Sequence, residues 1–168
     1  MKQAKQIKGL NRSEKFVIWA VRVWLRSNNR DLHLQHVLRK TLNSSGMVNA
    51  YLHLDSFMTI LSETSLLPLK TGCPNSSCVN SKPIFDLEIM ILKVIAMIQE
   101  SENSIKAYDF IKEYLTQDGL LLIREPANKL AKTLVDSKFI IRNLEYPLNS
   151  IPVLSVNRPV DRPNRIIH

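Results

Sequence analysis

The sequence predicts an all-α domain, a single compact bundle of about six helices, and three observations carry that expectation. Asp86–Glu100, DLEIMILKVIAMIQE, holds ten Leu, Ile, Met, Val or Ala residues, interrupted only by Glu88 and Lys93. A helix this apolar on nearly every side has to be surrounded by protein, and it is shorter than the roughly 20 apolar residues a membrane span needs. Residues 47–63 repeat their apolar positions at helical spacing. Glycine is scarce, four in 168 residues against an average near 7%, whereas tight hairpins and nucleotide-binding loops consume it. The length is that of one domain.

The elements follow in order. Asn11 with Glu14 three residues later is a capping-box variant opening a helix to about Ser27. Its core, FVIWAVRVWL, makes it a second largely buried post beside residues 86–100, with Trp19 and Trp24 as its largest apolar contributors and a polar stripe of Lys15, Arg22 and Arg26. Asp31 caps a helix to about Asn43, with Leu34, Val37, Leu38 and Leu42 inward and His33, His36 and Lys40 on another face. From Met47 to about Glu63, the residues Met47, Ala50, Tyr51, Leu54, Phe57, Met58 and Leu61 share one face. Leu66–Ile84 has three Pro and no period, a connection longer than the usual 12–15 residues, about the limit for a structureless loop.

In the 86–100 post, Phe85 and Met90 are placed as a hydrophobic staple around Asp86 as N-cap, with Glu88 in the first turn. Ser101–Ser104 offers caps for a helix to about Asp118, stopped by Gly119, with Ile105, Tyr108, Ile111 and Leu115 inward. Pro126 suits the first turn of a further helix carrying Ala127, Leu130, Ala131, Leu134 and Val135. Leu120–Ile123 and Phe139–Ile141 flank it. They either pair as a short two-stranded ribbon, near 120–123 and 139–142, or extend the helix, and runs so short hold no period that chooses. The domain expected is residues 10–146, between a basic arm at 1–9 and an extended Pro/Arg-rich tail at 147–168.

The net charge of +8 suggests nucleic acid until it is located. Residues 1–12 carry four cations and no acid, and residues 147–168 carry three Arg and one Asp, which leaves 16 basic and 14 acidic side chains between them. The body is nearly neutral and the arms are basic. The N-terminal stretch has no apolar run or cleavage site of a signal peptide, so a cytoplasmic protein, bacterial by its size, with reduced Cys73 and Cys78 is expected.

Cys73 and Cys78 with His33 or His36 would suit zinc or iron by ligand type, but four residues separate the cysteines where a zinc knuckle usually has two, so the expectation is no metal or other cofactor. Residues 31–43 and 47–63 have the outline of a helix-turn-helix, yet the second helix opens as MVNAYLHLD with no Arg or Lys to read bases. A winged-helix variant would place Lys129, Lys132 and Arg142 at phosphates, joined by Arg158, Arg162 and Arg165 from the tail. No glycine-rich phosphate loop, nucleophile elbow or zinc-protease motif appears, so no enzyme is expected. What remains is a small intracellular, non-enzymatic interaction or regulatory protein working through surface loops and the tail, with Lys15, Arg22 and Arg26 as a docking stripe for a protein partner. The alternatives are a nucleic-acid-associated transcriptional regulator and a Cys/His metal-binding or redox-sensing protein.

Overall fold

A computed structural model describes residues 9–28, 31–69, 84–101 and 104–143. Six helices are found there: α1 (Arg12–Ser27), α2 (Leu32–Ser44), α3 (Ala50–Thr64), α4 (Asp86–Glu100), α5 (Ile105–Ile111) and α6 (Gln117–Asp136). No strand is present among the described residues, only one isolated bridge between Ser65 and Leu115. The all-α bundle expected from the sequence is therefore the fold. The arms at 1–8 and 147–168 and most of the long connection lie outside the described residues.

Local chemistry sets most helix starts. Asn11 Oδ1 accepts from the Glu14 N–H at 2.8 Å while Glu14 Oε2 accepts from the Asn11 N–H at 2.7 Å, a reciprocal capping box. Asp31, Ser104 and Thr116 cap α2, α5 and α6 through their side-chain oxygens. At α4 the N-cap position is Phe85, one residue earlier than expected, and its N–H donates to Glu88 Oε2 at 3.0 Å.

The two apolar posts meet as expected: α1 packs against α4, which also carries α5 and α6. Ile18, Val21 and Val23 of α1 and Ile89 through Leu92 and Val94 through Ala96 of α4 are buried. Trp24 is buried too, and its indole N–H donates to Asp55 on α3 at 2.7 Å, so its polar edge is satisfied inside the bundle. All seven apolar residues named on the α3 face are buried.

The most extensive helix pair is α3 with α6. Thr64 at the end of α3 lies on Gly119 at the start of α6, and Ala50 and Leu54 share an apolar seam with Leu130 and Leu134, so the two run antiparallel. Backbone bonds fix this corner: the Leu66 N–H reaches Tyr114 O at 2.7 Å and the Thr116 N–H reaches Thr64 O at 3.0 Å.

Five expectations for this half of the chain are corrected. The fifth helix stops at Ile111, not near Asp118, because Tyr114 and Thr116 spend their backbone groups on the end of α3. Gly119 is not a stop but lies in the first turn of α6, its N–H held by Thr116 Oγ1 at 3.3 Å. Pro126 stands inside α6 rather than in its first turn. The carbonyl its missing N–H leaves without a donor belongs to Leu122, a residue on the exposed side of the helix. Leu120–Ile123 are accordingly helical, and the 120–123/139–142 ribbon does not form. Ile105 is also displaced, from inward to exposed, because α5 buries Ala107, Tyr108 and Ile111 instead.

Candidate functional site

Charged residues singled out in the sequence fall into different surroundings. Arg22 is completely buried, so the stripe Lys15–Arg22–Arg26 is broken at its centre, with Lys15 half-buried and Arg26 exposed. Its guanidinium forks onto Glu88 of α4, Nε to Oε1 at 2.6 Å and Nη2 to Oε2 at 3.0 Å, with both side chains out of water. A bidentate fork of this kind suits the guanidinium geometry. Glu88 thus both caps α4 and neutralises Arg22, a second role that its first-turn position in the sequence does not disclose.

On α2, His33, His36 and Lys40 are exposed as expected. Cys73 and Cys78 lie outside the described residues, and among the described residues no group of three or more His, Cys, Asp or Glu is arranged to hold a metal ion. Arg158, Arg162 and Arg165 also lie outside them. On α6, Lys129 is exposed and ion-paired to Glu125 one turn earlier at 2.5 Å, and Lys132 is exposed. Lys132 edges a cleft of about 150 Å³ between α4 and α6, lined by Ile98, Gln99, Asn128, Ala131 and Val135 as well. That is below the roughly 300–1,000 Å³ of a usual small-molecule site.

The densest polar arrangement described is at the corner where α1 begins, α4 ends and the chain leaves α6. Residues 139–142 run across it in extended form. Gln99 Nε2 donates to the Phe139 carbonyl at 2.9 Å, and Gln99 Oε1 accepts from the Ile141 N–H at 2.8 Å. Phe139 packs on Phe16 with ring centroids 4.9 Å apart, and Ile141 is buried. The half-exposed Arg142 side chain lies on Glu14, whose Oε1 accepts from the Arg142 backbone N–H at 3.1 Å and from Nε at 2.9 Å, while Oε2 accepts from Nη2 at 2.8 Å. Arg142 also reaches the Gly9 carbonyl. The predicted phosphate ligand Arg142 is therefore engaged with a carboxylate. Sequence reading found Glu14 as a helix-start residue and missed its second role, because nothing local pairs positions 14 and 142.

Burial of Glu14 opposes its ionisation, but the Arg142 side-chain bond, the Asn11 and Arg142 backbone N–H groups and the guanidinium charge outweigh it, so its pKa lies below the ordinary 4.5. An acid held ionised this firmly is a poor proton acceptor at neutral pH and is suited to holding structure. Because the folded value is the lower one, this group's stabilisation is complete above about pH 4.5 and is lost as pH falls through the folded pKa. Urea midpoints measured from pH 7 to pH 3 are expected to fall more steeply in the natural protein than in Glu14→Gln, whose profile should be flatter.

Other shifts have equally structural causes. Tyr108 is raised by burial, with its hydroxyl donating to the Arg124 carbonyl at 3.3 Å and the Arg124 guanidinium 4.8 Å over its ring. His53 is lowered by burial and by Lys129 across the α3–α6 seam.

The described surface also carries apolar groups. Val48, in the turn before α3, is 73% exposed and Leu52, one helical turn on, is 61% exposed. They occupy the N-terminal turns that a DNA-reading helix would use. No helix among the described residues is long and apolar enough to cross a membrane. No family model, curated protein or solved structure matches the chain.

Proposed function

We propose that this is a small intracellular, non-enzymatic interaction protein of regulatory type, which meets a protein partner through the α2–α3 face. The observation that carries the reading is the pair Val48 and Leu52: two large aliphatic side chains one turn apart, both well over half exposed, at the start of the second helix of a helix-turn-helix outline. On a nucleic-acid reader those positions would carry cations or amides. Exposed aliphatics in adjacent turns are instead the groups that protein interfaces desolvate. The handling of charge supports the same reading: Arg22, Lys112, Lys129 and Arg142 each contact a carboxylate, and the most strongly engaged carboxylate, Glu14, is committed to the fold.

Affinity capture with the full chain, compared with the double variant Val48→Ser/Leu52→Ser, tests this. The expected result is a protein partner retained by the natural chain and lost, by tenfold or more in affinity, from a variant that melts at the same temperature. Equal retention by both removes the α3 face from the account.

A second reading keeps Lys129 and Lys132 on the open face of α6, with the basic arms, as contacts for nucleic-acid phosphates in a transcriptional regulator. It is supported by the exposure of both lysines and weakened by the Glu125 partner of Lys129. Binding to random duplex that vanishes with moderate salt would reflect charge alone; a preference for one sequence that survives salt would favour this regulator over the protein-partner reading.

A further inference from the structure

Residues 139–142 are held as a bound peptide is held. Gln99 supplies one donor and one acceptor to the backbone at Phe139 and Ile141, the pair of bonds a neighbouring strand would supply. Phe16 receives the Phe139 ring, the core receives Ile141, and Glu14 receives both the backbone N–H and the guanidinium of Arg142. The Asn11 side chain donates to the Ile140 carbonyl at 3.3 Å. Every receptor side chain in this set lies on α1, α4 or the residue before α1. None lies on α6, the helix from which the segment emerges.

The joint between α6 and this segment is under backbone strain. The Lys138 N–H bonds to Val135 O and the Phe139 N–H bonds to Leu134 O, both at 2.8 Å, the two bonds of a Schellman turn. The turn needs a left-handed residue at its centre, and here it is Lys138 at φ +62° rather than glycine. A side chain in that region costs about 1–2 kcal/mol.

We propose that the α1–α4 corner is a receptor for an extended chain of the form aromatic–aliphatic–aliphatic–Arg, and that residues 139–142 of a second copy can occupy it, giving a reciprocal dimer by exchange of straps. A second copy is the partner the geometry fits, because its segment carries the same ring, the same buried Ile and the same Arg, so every contact with the receptor side chains is remade across the twofold and only the two turn bonds of the α6 joint are given up. Opening the joint also lets Lys138 leave the left-handed region, which offsets part of the association cost.

The test uses the full chain. It is concentrated near its urea midpoint, returned to native buffer and followed by sedimentation. A dimer that relaxes slowly on dilution is expected, with the Ile141 and Arg142 amides as protected from hydrogen exchange as in the monomer. Lys138→Gly, which suits the closed turn without strain, is expected to lower the dimer association constant at least about fivefold, the factor matching 1 kcal/mol. Val48→Ser/Leu52→Ser, on a different face, should leave it unchanged. A chain that stays monomeric throughout overturns the proposal. So does a dimer indifferent to Lys138→Gly, one abolished by the α3 variant, or one in which those two amides exchange freely.

Discussion

Glu88→Gln is expected to destabilise the protein by about 3–5 kcal/mol, lowering its melting temperature by on the order of 10 °C. The reason is not that the ion pair is strong in itself. Arg22 and Glu88 are both out of water, at 0% and 1% exposure, and taking two charges from water consumes much of what their attraction returns. Removing one charge is costly because the other stays buried without its ionic counterpart, which a neutral amide cannot replace. The pair joins α1 to α4, so the stranded charge sits between the two posts. Arg22→Met is expected to cost a similar amount by stranding the carboxylate. The double variant Arg22→Met/Glu88→Leu should recover most of the loss, falling short of the natural protein by roughly 1 kcal/mol for the Phe85 N–H that Glu88 also accepts. Urea unfolding of all four proteins gives the coupling directly, and a double variant as unstable as either single one would show that the pair itself, rather than its imbalance, sets the stability.

Gly119→Val is expected to cost about 3 kcal/mol or more, and Gly119→Ala about 1–3 kcal/mol despite alanine's better helix propensity. A Cβ at position 119 would stand 2.2 Å from Thr64 Oγ1 and 2.4 Å from Thr64 Cβ. The obstacle is the root of a β-branched side chain, which cannot rotate away, and the bonds joining Thr64 to Thr116 and Leu66 to Tyr114 keep the two backbones from parting. Moving the glycine across the contact, as Thr64→Gly/Gly119→Ala, should restore stability to within about 1 kcal/mol of the natural protein. Thermal melts of the single and double variants decide it, and a Gly119→Ala protein that melts at or above the natural temperature would mean that the α3–α6 approach is looser than described.

These two positions also show where sequence reasoning succeeds and where it stops. Helices α1 to α4 were legible to within a few residues because their signals are local: the Asn11/Glu14 capping box, the Asp31 cap, and the apolar stripe from Met47 to Leu61. The second half was misjudged where a tertiary contact overrides a local preference. Gly119 and Pro126 are helix breakers by propensity, yet one is the small residue that lets α3 lie on α6, and the other is tolerated where the affected turn belongs to an exposed residue, Leu122. Arg22 falls on a polar stripe by helical spacing and is buried all the same, since its partner is 66 residues away. Phe139–Ile141 reads in the sequence as either a short strand or a helix extension because its apolar run is real, but the groups that hold residues 139–142 are the side chains of Gln99 and Glu14, which no periodicity connects to them. Lys129 and Lys132 were placed correctly on an open face. Their chemistry is ordinary enough that exposure alone assigns them no role.

Glu14, Arg22, Glu88 and Gln99 close α1, α4 and the 139–142 strap into one cooperative body. Native-state hydrogen exchange tests this most directly, read at the amides of Val21, Ile95, Ile141 and Arg142 under increasing mild denaturant. All four are expected to converge on one opening free energy equal to that of global unfolding. Exchange of Ile141 and Arg142 through a separate opening several kcal/mol below that of Ile95 would contradict it, leaving the strap an appendage rather than part of the core.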